Sequence, residues 1–433
     1  MRENSNIFLN KKILIYGLGK SGISSFNFLK KKNQVHLFDD NNKIKITKKI
    51  KKKIIPKNEI SKFNFDIIIV SPGIDKNKCE LKNFLKKNSK KIYSDLDVFS
   101  SFYKNKCITI TGTNGKSTTC QLIYEILKKN RSDVKLAGNI GYPILSIKNI
   151  KPKSIFVIEA SSYQLDYSKL FTSKYAAILN IYPDHLERHK NLKNYISAKF
   201  KLIKSQKKNS IAFINNNNKY LINKIKMNSY KSKIVKINTK ITKKIVSNFE
   251  NNYFLSTANK ENLSFVLEIS KKLNIKKKIL FNAIKKFKGL KYRQQIIFKN
   301  RNTLIINDSK STSYSSSIEI LKMSKNIFWL LGGIPKKGDR FNLSKIYFKN
   351  IKGFIFGKNY KKFSSDLRNK IRFEKFSSLE IALKAIKKEI NYDKSINKTI
   401  LFSPAAASFD NFKNFEDRGL YFNKLVKKIF NGR

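Results

Sequence analysis

The chain has 433 residues, 41% of them hydrophobic, which is enough for two to three domains with their own cores and makes a single domain unexpected. The formal net charge is +63, but lysines dominate it and run along the whole chain. With Asn and Ile also abundant, this reads as compositional drift in an A/T-biased coding sequence, not as a dedicated nucleic-acid function. The longest apolar runs, 67–70 and 13–16, are far too short to cross a bilayer, and no secretory leader is expected. Three scattered cysteines (Cys79, Cys107, Cys120) have neither metal nor disulfide spacing, so a reduced cytoplasm is the expected compartment.

In chain order, a strand at 13–16 meets the turn Gly17-Leu-Gly-Lys-Ser-Gly22, followed by a helix at 23–31 and a strand at 35–38 ending in Asp39-Asp40. This G-x-G-x-x-G pattern with a trailing acid predicts a dinucleotide or nucleotide-sugar cradle. A strand at 66–70 then runs into Ser71-Pro-Gly-Ile74, a second glycine turn at a strand's carboxyl end. These elements form a first block, 1–94.

A second block, 95–289, opens with a buried strand at 107–111 that breaks into Gly112-Thr-Asn-Gly-Lys-Ser-Thr118. A helix at 121–129 follows, with Leu122, Ile123, Ile126 and Leu127 at helical spacing. Such a turn lets backbone N–H groups close on phosphate oxygens, while Lys116 adds a cation and Ser117 or Thr118 a Mg²⁺ ligand. The match to G-x-x-x-x-G-K-[ST] is incomplete, since Ile110 stands where the first glycine belongs. Further on come Gly138-Asn-Ile-Gly141, a strand at 154–158 ending in Glu159, a strand at 176–180 leading to Tyr182-Pro-Asp-His185, and a helix at 195–205 carrying Lys199. The third block, 290–433, alternates strands and helices again around Asn307–Thr312, Leu330–Asp339 and Leu401–Ser408. The alternation predicts an α/β chain with parallel sheets in all three blocks.

The segments GLGKSG, EASSYQLD, NIYPDHLERH, INDSKSTS and SPAAASFDNFKNFEDRG together resemble the Mur ligase family of ATP-dependent amide-bond-forming enzymes, and within it the D-glutamate-adding branch. The resemblance runs through every block in order. The Asn-Pro-Arg signature of the diaminopimelate- and lysine-adding relatives is missing, and folylpolyglutamate synthetases lack the N-terminal block. What the resemblance implies is a Rossmann-like N-terminal domain (1–94), a central P-loop ATPase-type domain (95–289) and a C-terminal Rossmann-like domain (290–433). It further implies a cytoplasmic ligase of peptidoglycan precursor synthesis, joining D-glutamate to UDP-N-acetylmuramoyl-L-alanine through an acyl phosphate with ATP and two Mg²⁺ ions. No membrane insertion and no dedicated nucleic-acid partner are expected. A hydride-transferring dehydrogenase would explain the first glycine turn but none of the other motifs.

On the same resemblance, Gly112, Thr113, Asn114, Gly115, Lys116, Ser117 and Thr118 hold the ATP phosphates, and Asn259, Arg293 and Asp308 take adenine, phosphates and ribose. Ser117, Glu159, His185 and Lys199 surround the metal; Lys116, His185 and Lys199 are the catalytic set, with Lys199 carbamylated by CO₂. The UDP part of the substrate goes to Gly17, Ser21, Asp39, Ser71, Gly73 and Asn139. D-Glutamate goes to Lys310, Thr312, Lys336, Ser408, Phe409 and Phe415, with Lys337 competing for the place of Lys336. Three departures stand out: Ala258 before Asn259 and Tyr292 before Arg293, where the family usually has histidine, and Lys20 where an apolar residue is common.

Overall fold

In a computed structural model, residues 6–41, 44, 46–240, 243–322, 326–336, 338–392 and 397–430 are described. Lys337 lies outside them. Three sheets carry the chain. The first contains β1 (Lys12–Tyr16), β2 (Gln34–Phe38), β3 (Ile67–Val70) and β4 (Ile92–Tyr93), all parallel, in the order β2-β1-β3-β4. The second contains β5 (Lys106–Thr111), β6 (Val134–Gly138), β7 (Ile155–Glu159), β8 (Tyr175–Ile178), β9 (Ile211–Asn215) and β10 (Lys233–Ile237), all parallel, in the order β10-β9-β8-β5-β7-β6.

The third sheet contains β11 (Gln295–Lys299), β12 (Thr303–Asn307), β13 (Ile327–Leu331), β14 (Ile351–Phe356), β15 (Arg372–Phe376) and β16 (Lys398–Phe402), in the order β11-β12-β16-β13-β14-β15. Here the expectation of an all-parallel sheet needs correcting. The edge strand β11 runs antiparallel to β12, with an irregularity between Ile296 and Phe298. Only 300–302 separate the two strands, and Asn300 Oδ1 accepts from the Thr303 N–H at 2.6 Å. So short a link permits a hairpin, whereas a parallel pair needs a long crossover.

The central strands are apolar from end to end, as in Ile-Ile-Ile-Val of β3 and Ile-Phe-Trp-Leu-Leu of β13, and every one of these residues is buried. That is the composition of strands covered on both faces. Parallel register also brings functional turns together. Pairing of Tyr16 with both Phe38 and Val70 aligns three strand ends, so the residues after them form one rim.

The chain divides into two compact units: 1–250 with 260–285, and 251–259 with 286–433. In the first unit, one apolar core runs from Ile13, Ile15, Leu37 and Ile67 of the first sheet, through Leu96, Val98 and Phe99, to Phe156 and Ile158 of the second. The Phe99 and Phe156 rings meet edge to face at 4.8 Å. The second unit builds its cores on both faces of the third sheet, around Trp329 and Leu331 on one side and Phe328, Leu330 and Phe422 on the other.

Candidate active site

At the carboxyl end of β5 the chain turns through Gly112 and Gly115, both with positive φ (153° and 83°), and enters a helix at Lys116–Lys129. The helix starts at Lys116, five residues before the hydrophobic periodicity marks it, because Ser117 to Thr119 continue directly from the turn. Glycine is required at 115. A Cβ there would lie 2.0 Å from Asn262 Oδ1, and its φ is left-handed. The side of the turn is fixed by Asn180, whose Oδ1 accepts from the Asn114 N–H at 2.9 Å and whose carbonyl accepts from the Thr113 N–H at 3.0 Å.

Five of the expected side chains converge here: Ser117, Glu159, Asn139, Lys116 and Lys199. Ser117 Oγ donates to Glu159 Oε2 at 2.6 Å, and Asn139 Nδ2 donates to the other carboxylate oxygen at 2.8 Å. Lys116 Nζ folds back onto the carbonyls of Gly112 (2.9 Å) and Thr113 (2.7 Å). Lys199 Nζ reaches the same Gly112 carbonyl at 2.9 Å, lies 4.6 Å from the Tyr195 ring centre, and is 2% exposed. Burial first, and the neighbouring Lys116 charge second, hold the Lys199 ammonium well below the usual lysine range. Asn139, expected on the UDP part of the substrate, therefore stands against Glu159 on the second sheet.

Thr113 ties this corner to the next loop: its hydroxyl accepts from the Tyr182 N–H (3.0 Å) and pairs with the Tyr195 hydroxyl (3.0 Å). That loop carries His185 at φ 55°, with Nε2 3.4 Å from Asp184 and Nδ1 3.7 Å from Glu187. Tyr163 lies beside it, 5.0 Å between ring centres. Three residues on, Arg188 bonds the carbonyls of Pro72, Gly73 and Ile74 and the Tyr167 hydroxyl. The loop containing Gly73 is thereby linked to the His185 segment.

At the rim of the first sheet, Gly17 has φ 92°, and its carbonyl accepts from Ser71 Oγ at 2.6 Å. Asp39 Oδ2 accepts from the Leu18 N–H at 2.5 Å, and Ser21 Oγ donates to Asp95 Oδ2 at 2.5 Å. The helix after this turn starts at Lys20, three residues before the expected Ile23.

In the second unit the remaining expected residues form a separate cluster. Asn259 Nδ2 donates to Gln294 Oε1 at 3.2 Å, and the Gln294 N–H donates to Asp308 Oδ1 at 3.1 Å. Ser403 Oγ donates to Asp308 Oδ2 at 3.1 Å. Burial pushes the Asp308 carboxyl up to about 7, against these hydrogen bonds and the charges of Arg293 and Arg418, which lower it. Lys310 Nζ sits 4.1 Å from the Phe415 ring centre, Ser408 is buried, and Phe409 is 71% exposed. Lys336 and Thr312 are half-buried on the neighbouring strand-end loops.

Asn180, Tyr195, Gln294 and Arg418 are parts of these clusters that the motifs do not single out. Only proximity in the fold gives them a role, although Asn180 lies in NIYPDHLERH and Arg418 in SPAAASFDNFKNFEDRG. Both oxygens of buried Glu159 meet neutral donors, which suits a hard cation that binds oxygen ligands. Among the described residues no group of three or more His, Cys, Asp and Glu side chains is arranged to hold a metal. An ion bound mainly through nucleotide phosphates and water needs no such cage. Nor, among the described residues, is any helix long and apolar enough to cross a membrane.

The Mur ligase MurD-like N-terminal domain matches residues 11–92, and the Mur ligase middle domain matches residues 110–280. UDP-N-acetylmuramoylalanine–D-glutamate ligase of Rickettsia felis is 34% identical over 98% of both chains, and its namesake from Rickettsia prowazekii is 36% identical over 98% of this chain and 99% of that one. Among solved structures, the MurF ligase of Thermotoga maritima in complex with ADP superposes with a TM-score of 0.57 at 14% identity, covering 98% of this chain and 99% of that one. That last likeness speaks for the fold alone; the two domain matches and the near-full-length identities above 30% place the chain in the Mur ligase family.

Proposed function

We infer that this chain is an ATP-dependent ligase that joins D-glutamate to UDP-N-acetylmuramoyl-L-alanine in peptidoglycan precursor synthesis. The observation carrying this reading is identity above 30% along virtually the whole length of relatives that bear that activity in their names. The reaction makes an amide from a carboxylate and an amine. ATP activates the carboxylate as an acyl phosphate; the D-glutamate amine then attacks the carbonyl, and phosphate leaves.

Most of the work in such a phosphoryl transfer is positioning and charge neutralisation. The N–H groups from Gly112 to Thr118 and the helix that follows offer donors to phosphate oxygens. Lys116, now resting on the Gly112 and Thr113 carbonyls, would exchange them for the γ-phosphate. Ser117 and Glu159, with His185, are the proposed Mg²⁺ holders, and the ion supplies charge neutralisation at the transferred group. Lys199, buried and with its ammonium disfavoured, is shifted toward the neutral amine that carbamylation by CO₂ requires. A carbamate would also set a negative charge beside the Lys116 ammonium.

Asn259, Arg293 and Asp308 are proposed to take the adenine, phosphates and ribose. Gly17, Ser21, Asp39, Ser71, Gly73 and Asn139 are proposed for the UDP substrate, and Lys310, Thr312, Lys336, Ser408, Phe409 and Phe415 for D-glutamate. Domain limits of 1–94, 95–289 and 290–433 and a cytoplasmic location belong to the same reading. The test is phosphate release with UDP-N-acetylmuramoyl-L-alanine and ATP, comparing D-glutamate, L-glutamate and L-lysine. Release only with D-glutamate is expected; release driven by L-lysine would overturn it.

A further inference from the structure

Arg418 is 1% exposed, the one arginine that is fully buried among the described residues. Its Nε donates to Ser309 Oγ at 3.1 Å, and its Nη2 donates to the carbonyls of Ser309 (2.8 Å) and Ala406 (3.0 Å). Nη1 is buried with no hydrogen-bond partner. It lies against Gly333, where a Cβ would come within 3.1 Å of Nη1 and 2.4 Å of the Ala407 carbonyl. One guanidinium thus touches the loops that follow β12, β13 and β16. These loops carry Lys310 and Thr312, Lys336, and Ser408. Ser309 extends the link, since its hydroxyl also donates to the Phe415 carbonyl at 2.9 Å.

The charge of this arginine is poorly compensated. Every acceptor it has is a neutral carbonyl or hydroxyl, and Asp410 and Asp308 act on it only through space. Burial lowers its pKa to about 10, so it remains charged at neutral pH. Asp308, titrating at about 7, offers only partial negative charge there. A buried cation with an unused N–H group favours an anion nearby.

We propose that Arg418 is a positioning and specificity residue: it sets the register of the three loops, and its charge makes their cluster prefer an amino acid with a second carboxylate over a neutral one. This rests on the D-glutamate reading of the second unit. Arg418 would act through the loops and through its field, because Nη1 is closed off by its neighbours. Glycine at 333 is then a requirement of the arginine as much as of the turn.

The test compares wild type, Arg418→Gln and Arg418→Lys in steady-state ligation with D-glutamate and with D-glutamine, its neutral analogue. In Arg418→Gln the KM for D-glutamate should rise about tenfold or more, while those for ATP and the UDP substrate stay within about twofold. The kcat/KM preference for D-glutamate over D-glutamine should fall by about tenfold in Arg418→Gln and by much less in Arg418→Lys, which keeps the charge. An unchanged preference, or all three KM values rising together, would reduce Arg418 to a structural part. Should both variants fail to fold, guanidino-¹⁵N arginine spectra of the wild type decide. The slowest-exchanging arginine signal should shift on saturation with D-glutamate and not with D-glutamine; a static signal overturns the proposal. If the wild type releases no phosphate with D-glutamate, the functional reading itself has failed, which is a separate result.

Discussion

The first unit contains two strand–turn–helix corners that share the string Gly-Lys-Ser, at 19–21 and at 115–117, yet they are built differently. In both, the serine hydroxyl donates to a buried carboxylate: Ser21 to Asp95 and Ser117 to Glu159. The glycines differ. Gly19 has an ordinary extended conformation (φ −67°), and its lysine is exposed. Gly115 is left-handed, and its lysine curls back over the turn. The partners differ too. Asp39 occupies the first turn by accepting the Leu18 N–H, which puts a carboxylate, an acceptor for hydroxyl or N–H donors, at that corner. The second turn is lined by Lys116 and Lys199, both of which donate to the Gly112 carbonyl. Backbone shape and neighbouring strands therefore set the two corners apart; the shared string does not.

Replacing the two lysines should separate the corners most sharply. Lys116→Ala should lower ligation by about a hundredfold to a thousandfold, with binding of the UDP substrate by calorimetry unchanged. Lys20→Ala should change kcat by less than about threefold. Comparable losses in both variants would break the contrast.

The glycines give the next largest difference. Gly115→Ala forces a left-handed backbone and a 2.0 Å contact with Asn262, which should destabilise the protein by about 1–3 kcal/mol in urea unfolding. Gly19→Ala meets nothing within 4 Å and should stay within about 0.5 kcal/mol of wild type.

The two corners should also differ in the sign of their pH dependence. Burial raises the Asp95 carboxyl, outweighing the hydrogen bonds from Ser21 and Gln164. Folded protein therefore binds more protons than unfolded between the ordinary Asp value and the raised one, and stability falls as pH rises through that window. Lys199 is depressed. Folded protein binds fewer protons below the ordinary lysine value, so stability rises with pH up to it. Unfolding free energies measured across pH should lose the first slope in Asp95→Asn and the second in Lys199→Met. Unaltered slopes in both would discard the electrostatic part of the comparison.

Much of this was readable beforehand, because glycine turns after apolar strands leave a pattern in the sequence. The P-loop stands where that pattern placed it, while Glu159, Lys199 and Asp308, singled out by resemblance, stand on the expected strand end, helix and strand-end loop. Helix starts at Lys20 and Lys116 were hidden, since polar residues inside the turn carry no hydrophobic period. The antiparallel β11 was hidden because strand direction depends on the length of the 300–302 link. Asn180 and Arg418 were missed for a different reason: an asparagine or arginine gains its role from carbonyls and N–H groups distant in sequence, which no local spacing encodes.

The core shared by the first two sheets has a consequence for how this protein can be divided. Leu96, Val98, Phe99, Phe156 and Ile158 close over residues of β1 to β3. A fragment ending at residue 94 would leave that apolar surface open to water, and the remainder would lose its cover as well. The two sheets should melt in one cooperative step, and neither half should express as a well-behaved protein without the other. Co-expressed halves, by contrast, have a ready-made surface for reassembly.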